Sequence, residues 1–366
     1  MKTLTPPSCL VLLCAAACGN ESPNDSGPAA SGPQTVMVMT TTYETSSVDA
    51  FSTEDPTKMR RCLILAAGDA TIRQIGNRAL VLNRGDASNV QVINEDLTPG
   101  TQIAVPGCGP HDALLLDDGR VLLTCYDDVS LRLVDLEGQT CVTATDLSAF
   151  ADADGLPEMD QMLRVGDRIY VSLQRLDQDH APTGNGIIGI LDAQTLELVD
   201  TNLAQPGEQG HDLPLVNPYT RLVLGANGLI YVGSVGDWLD HSTMGVMSLD
   251  PTTGETEVAV AGATMGGPPS AIARNSAGVL FALVSIPNGW VPTEMQLLRL
   301  AGSTPEVLYN SPGYTLAGVA VDAEGRAYVG NRSPDENAGL WIIDPLSGQQ
   351  RGPFATCLPP FDIEIF

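Results

Sequence analysis

The chain has 366 residues, and its 18 lysines and arginines against 44 aspartates and glutamates give a formal charge of −26. A surface of that sign repels phosphate backbones, which argues against nucleic acid as a partner, and it attracts cations and basic peptides. Helical periodicity is scarce, while Val, Ile, Leu, Gly and Pro punctuate short alternating runs, the pattern of an all-β chain.

Residues 1–17 read as a signal peptide. Lys2 supplies a basic start, Cys9 to Ala17 (CLVLLCAAA) an apolar core far shorter than the ~20 residues of a spanning helix, and Ala15-Ala16-Ala17 a small-residue cleavage site. Cys18 follows directly. The segment resembles the lipobox of bacterial lipoproteins, with Ala15 standing where that family has Leu. The resemblance implies acylation of Cys18, a membrane partner through an N-terminal lipid anchor, and a place in the cell envelope as an outer-membrane or surface lipoprotein. An ordinary secretory cut at the same site also exports the chain. Residues 18–34 lack large apolar side chains and are rich in Gly, Pro and Ser, so they read as a disordered tether.

Residues 35–366 read as one β-propeller. The stretch His111 to Leu147 divides into four short strands: an apolar run, the turn Asp117-Asp118-Gly119, a second run to Thr124, a third to Val134 ending at Asp135, and a fourth after Glu137-Gly138. Glycine tolerates the positive φ that such tight connections need. The turn glycine returns at Gly76, Gly166, Gly228, Gly278 and Gly325, and the end of the third strand at Asp49, Asn94, Asp135, Asp192, Asp250, Ala301 and Asp344. Seven units spaced about 41 to 58 residues apart are the signature of four-stranded antiparallel propeller blades. The unit ending at Asp49 lacks a first strand, and Pro359 to Phe366 alternates like a first strand with no second one after it. Pairing the C-terminal strand with the N-terminal blade closes the ring and removes two open sheet edges.

In such blades the connections before the first strand and between the second and third open on one face. Here they are long: residues 174–186, 233–245, 285–294 and 330–339. Loops held by a rigid scaffold carry function, so this face is the expected binding surface. All four histidines fall on it in this reading. His111 and His211 each precede Asp (Asp112, Asp212) at what reads as the start of a first strand, and His180 and His241 lie in long loops. Helped by Asp112, Asp212, Asp237 or Asp240, His111 and His211 would line the channel mouth and hold a divalent metal, Ca or Mg, or a polar ligand. Their spacing differs, since His211 stands 17 residues before its turn glycine and His111 only 8, so the two positions are not equivalent. Trp238 and Trp290 in the loops are candidates for stacking on a ligand. The aspartates ending third strands read as turn caps.

Of the cysteines after Cys18, Cys108 and Cys125 emerge at the same end of one hairpin and form the favoured disulfide pair. The odd number of the remainder, with Cys62, Cys141 and Cys357, leaves at least one thiol unpaired.

The strings AVDAEGRAYVGN (320–331), GLWIIDPLSGQQ (339–350) and GPHDALLLDDGRVLL (109–123) resemble the NHL, YVTN and gluconolactonase-like propellers of bacterial exported proteins. Pro110-His111-Asp112 is also similar to segments of streptogramin-lyase-like propellers, and Asn331 stands at a strand end comparable to a cation ligand of gluconolactonase-like enzymes. Two functions follow as expectations. The preferred one is a non-enzymatic binding or scaffold module that presents its long-loop face to a protein, glycan or small molecule. The alternative is a metal-assisted lactonase or lyase working at the channel mouth. Motifs for a serine nucleophile elbow, a zinc protease helix or a phosphate loop are absent.

Overall fold

A computed structural model describes residues 33–366 apart from Leu203, Pro206, Glu208, Trp238, Leu239, Gly289, Trp290 and Ser303. The signal peptide, Cys18 and nearly all of the tether lie outside the described residues, as do both loop tryptophans. Seven four-stranded antiparallel sheets form the ring. Their innermost strands, in ring order, are Pro360–Ile365, Ala70–Ile75, Pro110–Leu115, Met159–Val165, Val223–Leu224, Pro269–Arg274 and Leu316–Val321. The first blade takes its inner strand from the C-terminus: Val36 pairs with Ile365, Val38 with Ile363 and Met39 with Asp362.

The core lies between blades rather than within them. Met37, Met39 and Val48 of the first blade pack on Ile72 and Val81 of the second. Val36, Val38, Phe51 and Ile363 pack on Tyr328, Leu340 and Ile342 of the seventh. A strand such as Thr35–Thr41 is therefore buried on both faces, which is why it reads as a near-continuous apolar run.

A disulfide between Cys62 and Cys357, 295 residues apart in sequence, reinforces the closure from outside. Buried Asp49 accepts the backbone N–H of both cysteines, at 2.8 and 2.7 Å, and burial raises its pKa against those bonds. The second bridge, Cys108–Cys125, spans the start of one inner strand and the end of its neighbour. Cys141 carries a thiol whose pKa burial pushes up, away from reactivity.

The aspartates that end third strands cap their turns, as expected. Asp192 accepts the amides of Gln194 and Thr195, Asp250 those of Thr252 and Thr253, and Asp344 those of Leu346 and Ser347.

One assignment of strands differs from the sequence reading. Gly210–Val216 is the fourth, outermost strand of its blade, because it pairs with the third strand, Asn185–Asp192. The chain first pairs at Leu191 with Leu198 and pairs again with the same strand only from Gly210, opposite Gly189. That interruption accounts for part of the long spacing and disguises the strand's place. The true inner strand of the next blade is only Val223–Leu224, too short to announce itself.

Candidate site at the channel mouth

The inner strands narrow the channel to a waist built from charged residues. Pro110-His111-Asp112 and Pro360-Phe361-Asp362 occupy matching positions in two blades that flank a third. Each aspartate turns back to accept the next backbone amide, Ala113 or Ile363, at 2.9 Å. Arg73, on the strand between them, donates from Nε to Asp112 and from Nη1 to Asp362 at 2.9 Å, and from Nη2 to Gln161 at 3.1 Å. Across the channel Arg221 donates to both oxygens of Asp362 at 3.1 and 3.0 Å and to Glu364 at 2.7 Å. Burial alone would raise the pKa of Asp362, but Arg221 and Arg73 outweigh it and hold the carboxyl well below the usual range. For Glu364 burial wins, and its pKa is raised.

Above this waist, on the long-loop face, opens a cavity of about 520 Å³. Its floor includes His111 and Asp160, and its rim carries Tyr43, Tyr219 and Tyr314, which remain 61, 44 and 61% exposed. His111 Nδ1 lies 3.1 Å from Asp160 Oδ1, and the imidazole stacks on Tyr126 with ring centroids 4.3 Å apart. Asp160 is buried and accepts two further bonds of 2.6 Å, from the side-chain amides of Gln161 and Gln174. Because a carboxylate only accepts, it fixes the proton of neutral His111 on Nδ1 and leaves the Nε2 lone pair as an acceptor. Among the described residues Nε2 has no partner.

Arginines also reach the rim. Arg84 follows the second strand of its blade and pairs with Asp69, its Nε 2.9 Å from Oδ1. Arg332 holds the same position in the seventh blade, lies over the rings of Tyr43 and Phe361 at 4.5 and 5.6 Å, and donates to the Tyr43 hydroxyl at 3.0 Å.

Among the described residues that were candidates from sequence, His111 is the one whose side chain lines the cavity. Asp112 is buried in the waist, bonded to Arg73 and to the amide of Met162 at 2.6 Å. The expectation that His211 joins His111 is corrected. His211 sits on an outer strand, and its ring packs so closely on Gly254 of the next blade's short turn that a Cβ there would fall 2.4 Å from Cε1. Asp212 is exposed on the same outer strand, where its carbonyl accepts from Thr256 at 2.9 Å. His180 is exposed in a turn with φ of 59°. Asp237 and Asp240 are exposed and bridge one another, and Asp240 caps the short turn His241–Thr243. Asn331 is fully buried and its amide is used: it donates to Tyr309 and Ser311 at 3.0 and 3.2 Å and accepts from Ser333 at 2.8 Å. It is a structural residue, not a ligand position.

The donor set does not fit a divalent cation. Asp112 and Asp362 are held by guanidinium groups and Asp160 by two amides and an imidazole, so among the described residues no set of free donors gathers at His111. The group of three potential ligands found among the described residues is Asp49, Cys62 and Cys357, and there the two sulfurs are bonded to each other.

Sequence reasoning missed the arginines and tyrosines. Two signals were present. Asn-Arg recurs at second-strand ends, in VLNRG (81–85) and VGNRS (329–333), and Pro-x-Asp recurs at first-strand starts, in 110–112 and 360–362.

No family model matches the chain, and no curated protein matches it. Solved structures do. A putative 6-phosphogluconolactonase from Bacteroides uniformis aligns with a TM-score of 0.57 at 11% identity, covering 91% of this chain and 99% of that one. Kuenenia stuttgartiensis hydrazine synthase gives 0.52 at 13%, covering 93 and 98%. Virginiamycin B lyase from Staphylococcus aureus gives 0.51 at 13%, covering 77 and 82%. At these identities the likeness is one of fold, the seven-bladed propeller, which hosts many unrelated activities.

Proposed function

We propose that the chain is an exported binding module, tethered through its N-terminus, that takes a small polar ligand into the cavity at the channel mouth. The observation that supports this most directly is a concave site whose tyrosines, His111 and Arg332 retain bonding capacity above a waist whose charges are already satisfied. Cavities of a few hundred Å³ with a few convergent polar groups are the usual form of small-molecule sites. The rigid ring presets their geometry, so little ordering cost is incurred on binding. A thermal-shift screen of small polar metabolites tests it. Compounds that raise the melting temperature of the wild type but not of Tyr219→Ala or Tyr314→Ala are expected. A screen with no such compound would overturn it.

A second reading is favoured by one pair of residues. His111, oriented by buried Asp160 and aimed with Nε2 at the cavity, has the arrangement of a general base. It could remove a proton from a bound ligand or from a water attacking a lactone, without a metal. If so, a ligand found by the screen should be turned over, or exchange a carbon-bound hydrogen with deuterated solvent, and His111→Ala should abolish this while leaving binding within about tenfold.

A further inference from the structure

The chemical class of the ligand can be narrowed, and this step rests on the channel mouth being the binding site. Four arginines line the cavity, Arg73, Arg84, Arg221 and Arg332, against three aspartates, Asp69, Asp160 and Asp362. Asp112 and Glu364 of the waist also bond Arg73 and Arg221, so what each arginine is paired with decides what is left for a ligand. Three of the arginines are matched: Arg73 and Arg221 by Asp362, Arg84 by Asp69. Arg332 has no carboxylate partner among the described residues. One side-chain N–H is given to Tyr43, and a guanidinium carries five.

Its position is not that of a freely swinging surface arginine. The guanidinium lies over Tyr43 and Phe361, which holds its plane while the remaining donors stay available. A planar fork fixed in this way matches a carboxylate in two parallel bonds, which an ammonium cannot do. One guanidinium without a carboxylate partner suits a monoanion better than a phosphate ester, which carries nearly two charges at neutral pH. Around the same opening stand the exposed rings of Tyr43, Tyr219 and Tyr314, faces on which a flat or pyranose ring can lie.

We propose that the cavity binds a ring-bearing monocarboxylate, with Arg332 pairing the carboxylate and the rim tyrosines contacting the ring. The ring has two possible sources, a sugar acid or an aromatic acid, and the experiment separates them. Calorimetric titration would use galacturonate beside galactose and benzoate beside benzyl alcohol, on wild type, Arg332→Ala, Arg332→Lys and Tyr219→Ala. At least one acid is expected to bind at least about tenfold more tightly than its neutral counterpart, and the acid that binds identifies the source. Arg332→Ala should lose that preference, Arg332→Lys should recover only part of it, and added salt should weaken it. The proposal is overturned if neither acid binds, if each neutral counterpart binds equally well, or if Arg332→Ala behaves as wild type. Neutral compounds bound in a manner sensitive to Tyr219→Ala would overturn the carboxylate and leave the binding site standing. Binding that no rim substitution alters would remove both.

Discussion

At the waist of the channel Asp362 accepts from Arg73 at one oxygen and from Arg221 at both, and takes a further bond from Thr71, whereas at the mouth Arg332 and His111 hold bonds still to be made. The two regions use the same residue types around one channel. What separates them is whether the protein itself answers each charge. A paired, buried charge contributes order to the ring, and an unanswered one at an opening is available to a ligand. Substitutions that keep size but remove charge should therefore affect stability at the waist and binding at the mouth.

The largest effect is expected from Asp362→Ala. It strips the shared partner from two arginines and does so on the strand that closes the ring, so a loss of about 3–5 kcal/mol in urea unfolding is expected. A loss under about 1 kcal/mol would mean that the waist is not structural. Next comes Cys357→Ser together with Cys62→Ser. This removes the outer clasp of the same closure at an expected cost of about 2–5 kcal/mol, since the bridge restrains a very long loop in the unfolded chain. Cys108→Ser with Cys125→Ser, which frees a loop of separation 17, should cost less.

Acid and base should distinguish Asp362 of the waist from Glu158, a buried carboxylate that bonds the amide of Leu176. Asp362, whose pKa is depressed, contributes stability that is complete above the ordinary carboxylate range and is lost only as pH falls through its lower folded value. Glu158 behaves oppositely. Burial, helped by Asp154 and Asp152 and opposed by the amide of Leu176, pushes its pKa from 4.5 up to about 7. The folded state then binds more protons than the unfolded one between those values, so stability falls as pH rises through that window and is level above it. Glu158→Gln should flatten this fall, measured as the difference in melting temperature between about pH 5 and about pH 8. An unchanged difference would assign the dependence to other groups.

The ring was legible in the sequence because its devices are local and repeated. An apolar run recurs in each blade, with a turn glycine in six of them and a capping aspartate at Asp135, Asp192, Asp250 and Asp344, and the orphan first strand at Pro360–Ile365 declares the closure. The site was only half legible. His111 stood out as a rare residue in a loop-edge position, but Arg332, Tyr219 and Tyr314 are common residue types whose meaning depends on strands from different blades meeting at the axis. No spacing along the chain encodes that meeting. His211 misled because an interruption of the pairing turned an outer strand into the apparent start of the next blade. The unequal distances from His111 and His211 to their turn glycines, 8 and 17, were the trace of this.

The smallest effect on stability is expected at the mouth. Arg332→Ala and Tyr219→Ala remove groups that bond little within the protein, and each should shift unfolding by less than about 1 kcal/mol. His111→Ala tests the contrast most sharply, because His111 is both a cavity residue and a partner of buried Asp160. Without the imidazole, Asp160 keeps the amides of Gln161 and Gln174, so its carboxylate stays solvated by the protein and the loss should still be below about 1.5 kcal/mol. A loss of 3 kcal/mol or more, about the scale of breaking a buried pair, would place His111 with the waist as a structural residue. A small loss accompanied by altered ligand binding or turnover would place it with the mouth. Its position one residue before Asp112 makes this a fine division: two adjacent side chains on one strand, one facing the opening and the other locked to Arg73, would be assigned to different tasks by a single pair of unfolding curves.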